Sequence, residues 1–141
     1  MRVLSTTLHV TTEGFNDVHD LTPAVKGFLA ASGLKAGVLT VFVPGSTAGI
    51  TTIEYEPGAV RDLQKAIDRI IPGDIHYDHD ARWGDDNGFS HLRASLFGPS
   101  LSIPIVGGQP YLGTWQQVVL LDFDNRPRTR EIIVQLIGES E

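Results

Sequence analysis

Leu101-Ser102-Ile103-Pro104-Ile105-Val106-Gly107-Gly108 opens the part of the sequence that decides the fold. Its first six residues alternate weakly, as a half-buried strand does, and Pro104 suits an edge or a bulge. Gly107-Gly108 is a two-residue hairpin signal. Residues 111–123 then read as one long strand, with Gly113 a bulge near its start. Asp124-Asn125-Arg126-Pro127 is a turn. Residues 128–137 read as a last strand with Ile132, Val134 and Leu136 on one face. Strands joined by turns this tight must be antiparallel, because a parallel pair needs a long crossover.

Outward from there, residues 2–12 alternate as well. Val3, Ser5, Thr7, His9 and Thr11 share one face of a strand, and Leu4, Thr6, Leu8 and Val10 the other; His9 is read as solvent-facing. Thr22-Pro23 reads as an N-cap followed by proline at the first helical position. The helix over 24–32 packs Val25, Phe28 and Leu29 and closes at Gly33. Residues 38–43 are apolar and β-branched, which predicts a strand buried on both faces or nearly so. Residues 50–55 form the next strand. Pro57-Gly58 opens an amphipathic helix with Val60, Leu63, Ile67, Ile70 and Ile71 on one face, and Pro72-Gly73 ends it. Residues 139–141 are expected to fray. The tally is about seven strands and two or three helices. The predicted class is α+β: a mostly antiparallel sheet or sandwich with helices on one side, in a single domain spanning 1–141.

Composition narrows the function classes. A net charge of −6 over 141 residues argues against a nucleic-acid binder, which needs a basic face, and against an anionic membrane partner. With no cysteine, disulfides and thiolate metal sites are excluded. The N-terminus lacks a signal-peptide core, and no apolar run approaches the ~20 residues that span a bilayer. The expectation is a cytoplasmic protein.

Chemistry concentrates in residues 78–95. Asp78, Asp80, Asp85 and Asp86 share this stretch with His79, His91, Arg82 and Arg93. Gly84 and Gly88 punctuate it, so most of it is predicted to be loop. The segment 76–79 is read as entering it in extended form, and residues 91–97 as helical turns or a strand start. Such a mix can bind a metal, bind a phosphate or move protons, and it can equally be a solvated loop. His79 and His91 with Asp80, Asp85 or Glu54 offer nitrogen and oxygen ligands, while Mg²⁺ needs only carboxylates and a substrate pyrophosphate. His79 between two aspartates is a candidate acid–base group. Glu54, at a strand end, faces either solvent or a site. The break at 44–49 carries hydroxyls and free N–H groups that can receive a phosphate oxygen, or is a plain hairpin loop. Trp115-Gln116-Gln117, read inside a strand, places amides on both faces, where they need partners.

Several segments together resemble the YjbQ family, also called the secondary thiamine-phosphate synthase family. They are residues 39–44 (Leu-Thr-Val-Phe-Val-Pro) with 46–51 (Ser-Thr-Ala-Gly-Ile-Thr), and Asn87 with Ser90-His91-Leu92-Arg93-Ala94-Ser95. Gly98-Pro99-Ser100, Leu112-Gly113-Thr114-Trp115-Gln116-Gln117 and Asp122-Phe123-Asp124 with residues 126–130 complete them. The segments run in the family's order across nearly the whole chain.

The resemblance implies a compact α+β fold, a homotrimer, and an activity that joins a pyrimidine diphosphate to a thiazole phosphate. The alternative is a non-catalytic trimer that binds a phosphorylated heterocycle through a partly lost site. Displacing pyrophosphate requires charge stabilisation. His79, His91 and Glu54 are the candidate catalytic residues. Ser46, Thr47, Arg93, Asn87, Trp115 and Gln116 are the candidate contacts to a small phosphorylated molecule. Asp85 and Glu54 would hold a divalent metal, taken as Mg²⁺. His79, His91, Glu54 and Arg93 are expected to converge on the Ser46-Thr47 turn. Two positions depart from the family pattern: Gly45 and Phe89 stand where many members carry histidine or, at the second, aspartate. If Phe89 faces the site, it should weaken transition-metal binding and offer a ring for stacking.

Overall fold

In the computed structural model, which describes residues 1–141, the chain runs β1 (Arg2–Thr12), β2 (Asp17–Asp20), α1 (Thr22–Ser32), β3 (Ala36–Phe42), β4 (Ala48–Ile53) and α2 (Pro57–Ile70). It continues α3 (Asp78–Trp83), α4 (Gly88–Phe97), β5 (Ser100–Val106), β6 (Gln109–Pro110), β7 (Gln117–Asp122) and β8 (Arg128–Glu139). The strands form two antiparallel sheets, β1-β8-β3-β5-β6 and β2-β7-β4. The first and last strands lie side by side, with Leu4 opposite Leu136 and Leu8 opposite Ile132.

Three layers follow from the alternation. The inner face of the five-stranded sheet (Leu39, Val41, Ile103, Ile132, Val134, Leu136) packs against Ile50, Val118 and Leu120 of the smaller sheet, and Val25 and Leu29 of α1 join this core. The other face of the smaller sheet carries Val18, Val119, Leu121 and Phe123, which pack on Ile67 of α2 and Ala94 of α4. Residues 119 to 121 are therefore apolar on both faces because β7 is the central strand of the middle layer. Gly49 lets α4 approach, since a Cβ there would meet the Phe97 Cβ at 3.0 Å and the Gly98 carbonyl at 3.1 Å.

Several expectations need correction. The stretch 78–95 is mostly helix: Gly84, at φ 66°, caps α3, and Gly88 opens α4. Both glycines mark helix ends, and the polar composition reflects a surface corner. His79 accordingly stands on a helix, not in an extended segment. Residues 111–123 are not one strand. The chain leaves one sheet at Pro110 and joins the other at Gln117, and between them the Gln116 N–H bonds the Gly113 carbonyl at 3.1 Å. A segment changing sheets loses its ladder partners and turns locally. β3 is buried on one face only: Leu39 and Val41 are inside, while Val38 and Phe42 are 45% and 40% exposed. Thr22 is not the N-cap of α1. Its Oγ1 accepts the Val118 N–H at 2.8 Å, and Asp20 takes the Thr22 N–H at 2.9 Å. Glu139 does not fray, because its carbonyl accepts the Lys35 N–H at 2.8 Å.

Candidate functional site

The corner between α3 and α4 brings two imidazoles together across twelve residues of sequence. The His79 and His91 ring centroids are 4.3 Å apart and the rings are tilted by 38°. Gly88 makes this closeness possible: a Cβ there would meet the Tyr77 Cβ at 2.7 Å and the His79 Cβ at 3.3 Å. The Gly88 N–H donates to Asp80 Oδ1 at 2.8 Å, which fixes that carboxylate. His79 Nδ1 lies 3.4 Å from Asp85 Oδ1 and 3.7 Å from Asp80 Oδ1. It is buried and makes no hydrogen bond. One ligand atom from each of His79, Asp80 and Asp85 falls within 4.8 Å of the others. Burial and the neighbouring His79 together push the His91 imidazole below its ordinary value, against opposing pulls from Asp85, Asp124 and Asp80.

A buried ionic network supports this corner. Arg130 donates to both oxygens of Asp122, at 2.7 and 3.0 Å, and to Thr47 Oγ1 at 2.7 Å. Thr47 Oγ1 in turn donates to Asp124 Oδ2 at 2.9 Å, and Arg128 Nε donates to the same oxygen at 3.1 Å. Thr12 Oγ1 donates to Asp122 Oδ2 at 2.6 Å. Burial alone would raise Asp124. The hydrogen bonds from Thr47 and Arg128, with the charges of Arg128 and Arg130, overcome it and hold the carboxyl below its usual range. Asp124 Oδ1 is buried without a partner. A cavity of about 360 Å³ opens beside His91, lined by Gly45, Ser46, Ser95 and Gly98 among others.

The structure gathers some of the residues picked from sequence and disperses the rest. His79, His91 and Asp85 meet, and Ser46 joins His91 at the cavity. Thr47 lies beneath, its hydroxyl consumed by Asp124 and Arg130. Asn87 braces the loop: its Oδ1 accepts from Ser90 Oγ at 2.7 Å and from the Asn125 N–H at 3.1 Å. Glu54, Trp115 and Gln116 do not converge. β4 and β7 run antiparallel, with Ile53 opposite Gln117 and Ala48 opposite Asp122. At roughly 3.3 Å per strand residue, Glu54 is about 23 Å along the chain from Thr47. Gln116 Nε2 donates to Thr52 Oγ1 at 3.2 Å at that far end.

Arg93 and Phe89 also lie elsewhere. Two residues from His91 on a helix is about 200° of rotation, so both point to the opposite face of α4. Arg93 donates to the Ile71 carbonyl and to Asn16, and Phe89 is 4% exposed beneath it. Phe89 thus does not face the imidazole pair, and its replacing a histidine takes nothing from that pair. Gly45 sits at φ 122°, with Arg130 Nη1 3.2 Å from where its Cβ would be. Arg130 fills the space a side chain at 45 would need. Asp122, Asp124 and Arg130 were missed as site residues. Their signal was the run of aspartates and arginines flanking the β7–β8 turn, charged residues beside the wholly apolar run Val118 to Leu121.

The profile described as "UPF0047 protein YjbQ-like" matches residues 6–139. The chain belongs to the YjbQ-like UPF0047 family. A UPF0047 protein of Methanothermobacter thermautotrophicus is 36% identical over 139 residues, 99% of this chain and 95% of that protein. YugU of Bacillus subtilis is 31% identical over 133 residues, covering 94% and 98%. Among solved structures, a YbjQ-like protein of unknown function from Sulfolobus solfataricus P2 superposes with a TM-score of 0.92 at 30% identity, covering 98% of this chain and 99% of that one. A YjbQ/UPF0047 family protein of Clostridium acetobutylicum gives 0.85 at 34% identity, covering 94% and 99%. The α+β architecture is thus the architecture of the family. No helix is long and apolar enough to cross a membrane.

Proposed function

We propose that this YjbQ-like protein binds a divalent cation at His79, Asp80 and Asp85 and uses it to hold and act on a small phosphorylated molecule in the cavity beside His91. The observation that carries this reading is His79 Nδ1: buried, without a hydrogen bond, and 3.4 and 3.7 Å from two carboxylate oxygens. Ligand atoms about 2.1 Å from a tetrahedral ion stand about 3.4 Å from one another, so the spacing fits. An imidazole among two carboxylates shifts the preference from Mg²⁺ towards Mn²⁺ or Zn²⁺. A bound cation supplies neutralisation of phosphate charge. His91, held neutral near pH 7, is placed to accept a proton at the cavity wall. Ser46 lines the same space, and Arg130 Nη1 lies close to Gly45, which lines it too.

The finer reading is the transfer of a pyrimidine from its diphosphate to a thiazole phosphate. It rests on the family resemblance, with Arg130 taking the phosphate role first given to Arg93. The non-catalytic alternative gains from one observation: Glu54 and Arg93, two of the groups assigned to the reaction, lie outside the site. We also propose a homotrimer built on the open face of the five-stranded sheet. Val3, Ile137 and Val38 form one exposed row there, and exposed Phe42 beside half-buried Ile133 begins another.

Calorimetry with Mn²⁺, Zn²⁺ and Mg²⁺, followed by pyrophosphate with each ion, tests the cation site. Binding of the ion by wild type, and its loss in His79→Ala, is expected. Equal binding in both proteins would refute the site. Pyrophosphate release from a pyrimidine diphosphate in the presence of thiazole phosphate then separates the two functional readings: turnover abolished by His91→Ala supports catalysis, and binding without turnover supports the alternative.

A further inference from the structure

The face of α4 turned away from the imidazole pair lines a second cavity, of about 480 Å³, that the proposed function leaves unused. Phe89 and Arg93, one helical turn apart, form one wall, and Phe15, Asp68, Gly73 and Asp74 contribute the others. Phe15 and Phe89 lie nearly parallel, with centroids 6.3 Å apart and 19° between planes. The Arg93 guanidinium stands 4.8 Å from the Phe89 centroid, and its side chain is 4% exposed.

Phe15 is 63% exposed and held at φ 52°, between Gly14 at 80° and Asn16 at 67°. A bulky residue in the left-handed region is strained and persists only where its surroundings impose it. They do so here. Asn16 donates to Asp68 Oδ1 at 2.9 Å and accepts from Arg93 Nη1 at 2.9 Å, and the Phe15 N–H donates to the Asp124 carbonyl at 2.9 Å. Burying an aromatic ring would explain such a cost, but this loop displays one instead. Strain that presents an exposed ring beside a cavity points to a ligand.

The polar groups narrow the ligand's chemistry. Asp68 is paired with Arg93 at 3.2 Å, whereas Asp74 is exposed and takes part in no ion pair. Arg93 spends its Nε and Nη2 hydrogens on Ile71 and Asp68 and one Nη1 hydrogen on Asn16, which leaves one donor. The cavity therefore offers an aromatic face, one spare guanidinium donor and one unpaired carboxylate. A flat ring carrying an acceptor and N–H donors meets all three. The volume lies within the roughly 300–1,000 Å³ of small-molecule sites.

We propose that this cavity binds a planar heterocycle of the guanine type. The base stacks on the exposed Phe15 ring, which Phe89 backs, its N–H edge donates to Asp74, and its carbonyl or ring nitrogen accepts from Arg93. The site is separate from the His79–His91 corner and does not rest on the cation.

Calorimetry of the full chain with guanosine, adenosine and benzoate tests it, with amide NMR shifts locating the site. Guanosine is expected to bind at least about tenfold more tightly than adenosine, because only guanosine presents adjacent N1–H and N2–H donors to the Asp74 carboxylate, and to shift the amides of Phe15, Gly73 and Asp74. Phe15→Ala and Asp74→Asn change exposed side chains and should each weaken binding to a similar degree with an unchanged thermal melt. His91→Ala should leave guanosine binding intact even if the cation site fails its own test. No heat with guanosine at millimolar concentration overturns the proposal. So does benzoate binding as tightly as guanosine, or unaltered affinity in both variants.

Discussion

His91 shows how one side chain's surroundings set its chemistry. Removing it from water penalises the imidazolium, and a second imidazole at 4.3 Å penalises it further. Its titration should therefore inflect below the ordinary value of about 6.5. His79→Ala removes the like charge and opens the corner to water, so the inflection should rise, and an NMR titration that leaves it in place would contradict this account. The sign for stability follows. Between the lowered folded pKa and about 6.5 the unfolded chain binds more protons, so stability grows with pH across that window and falls on acidification. Phe89 is the contrasting case. Its ring stacks with Phe15 and lies under Arg93, on the far face of α4. Phe89→His should leave Zn²⁺ affinity within about twofold of wild type while destabilising the fold by about 1–3 kcal/mol, the usual scale for disturbing a packed site. Calorimetry and urea unfolding on the same variant read the two effects separately.

At the level of elements, the turn between β7 and β8 carries the ionic network that the two strands bury. Arg130 is the single cation contacting Asp122, Asp124 and Thr47 together. Arg130→Met keeps the volume but leaves buried Asp122 with no cation, while Asp124 keeps Arg128 alone. Breaking a buried pair from one side costs about 3–5 kcal/mol, and urea unfolding should show a loss of that order. A change under about 1 kcal/mol would mean that water reaches the network. Asp124 is held below its usual range, so its contribution is present at neutral pH and lost as pH falls through the lowered value. The turn between β3 and β4 depends on the same arginine. Gly45→Ala should destabilise by about 1–3 kcal/mol, since φ 122° strains any L side chain there and Arg130 Nη1 occupies its place.

For the whole molecule, the open face of the five-stranded sheet is the surface proposed to carry the trimer. Its rows read Val3, Ile137, Val38 and then Thr7, Ile133, Phe42, separated by Ser5, Gln135 and Thr40. Apolar residues exposed in rows mark an interface, and with the trimer that the family resemblance implies, sedimentation should give about three times the 15.3 kDa chain mass. Phe42→Glu should dissociate the assembly, and a wild-type monomer at micromolar concentration would refute the trimer. The alternation that builds this face was legible in the sequence. Period-two patterning, Gly107-Gly108 and the tight turn at 124–127 carried the antiparallel class, because strand pairing and side-chain direction are local properties of the backbone. Family membership was legible for the same reason, as contiguous motifs. What the sequence left open was every property that depends on direction around an element or on distance across the fold. Two residues apart on α4, His91 and Arg93 face different cavities, and only the helix, one of two readings the sequence left open for residues 91–97, separates them. Glu54 and Ser46 bracket one strand and so lie at opposite ends of it. His79 and His91, twelve residues apart, meet because a glycine lets two helices close. The tertiary structure decided the membership of the site, because a site is a set of distances and the chain prints only an order.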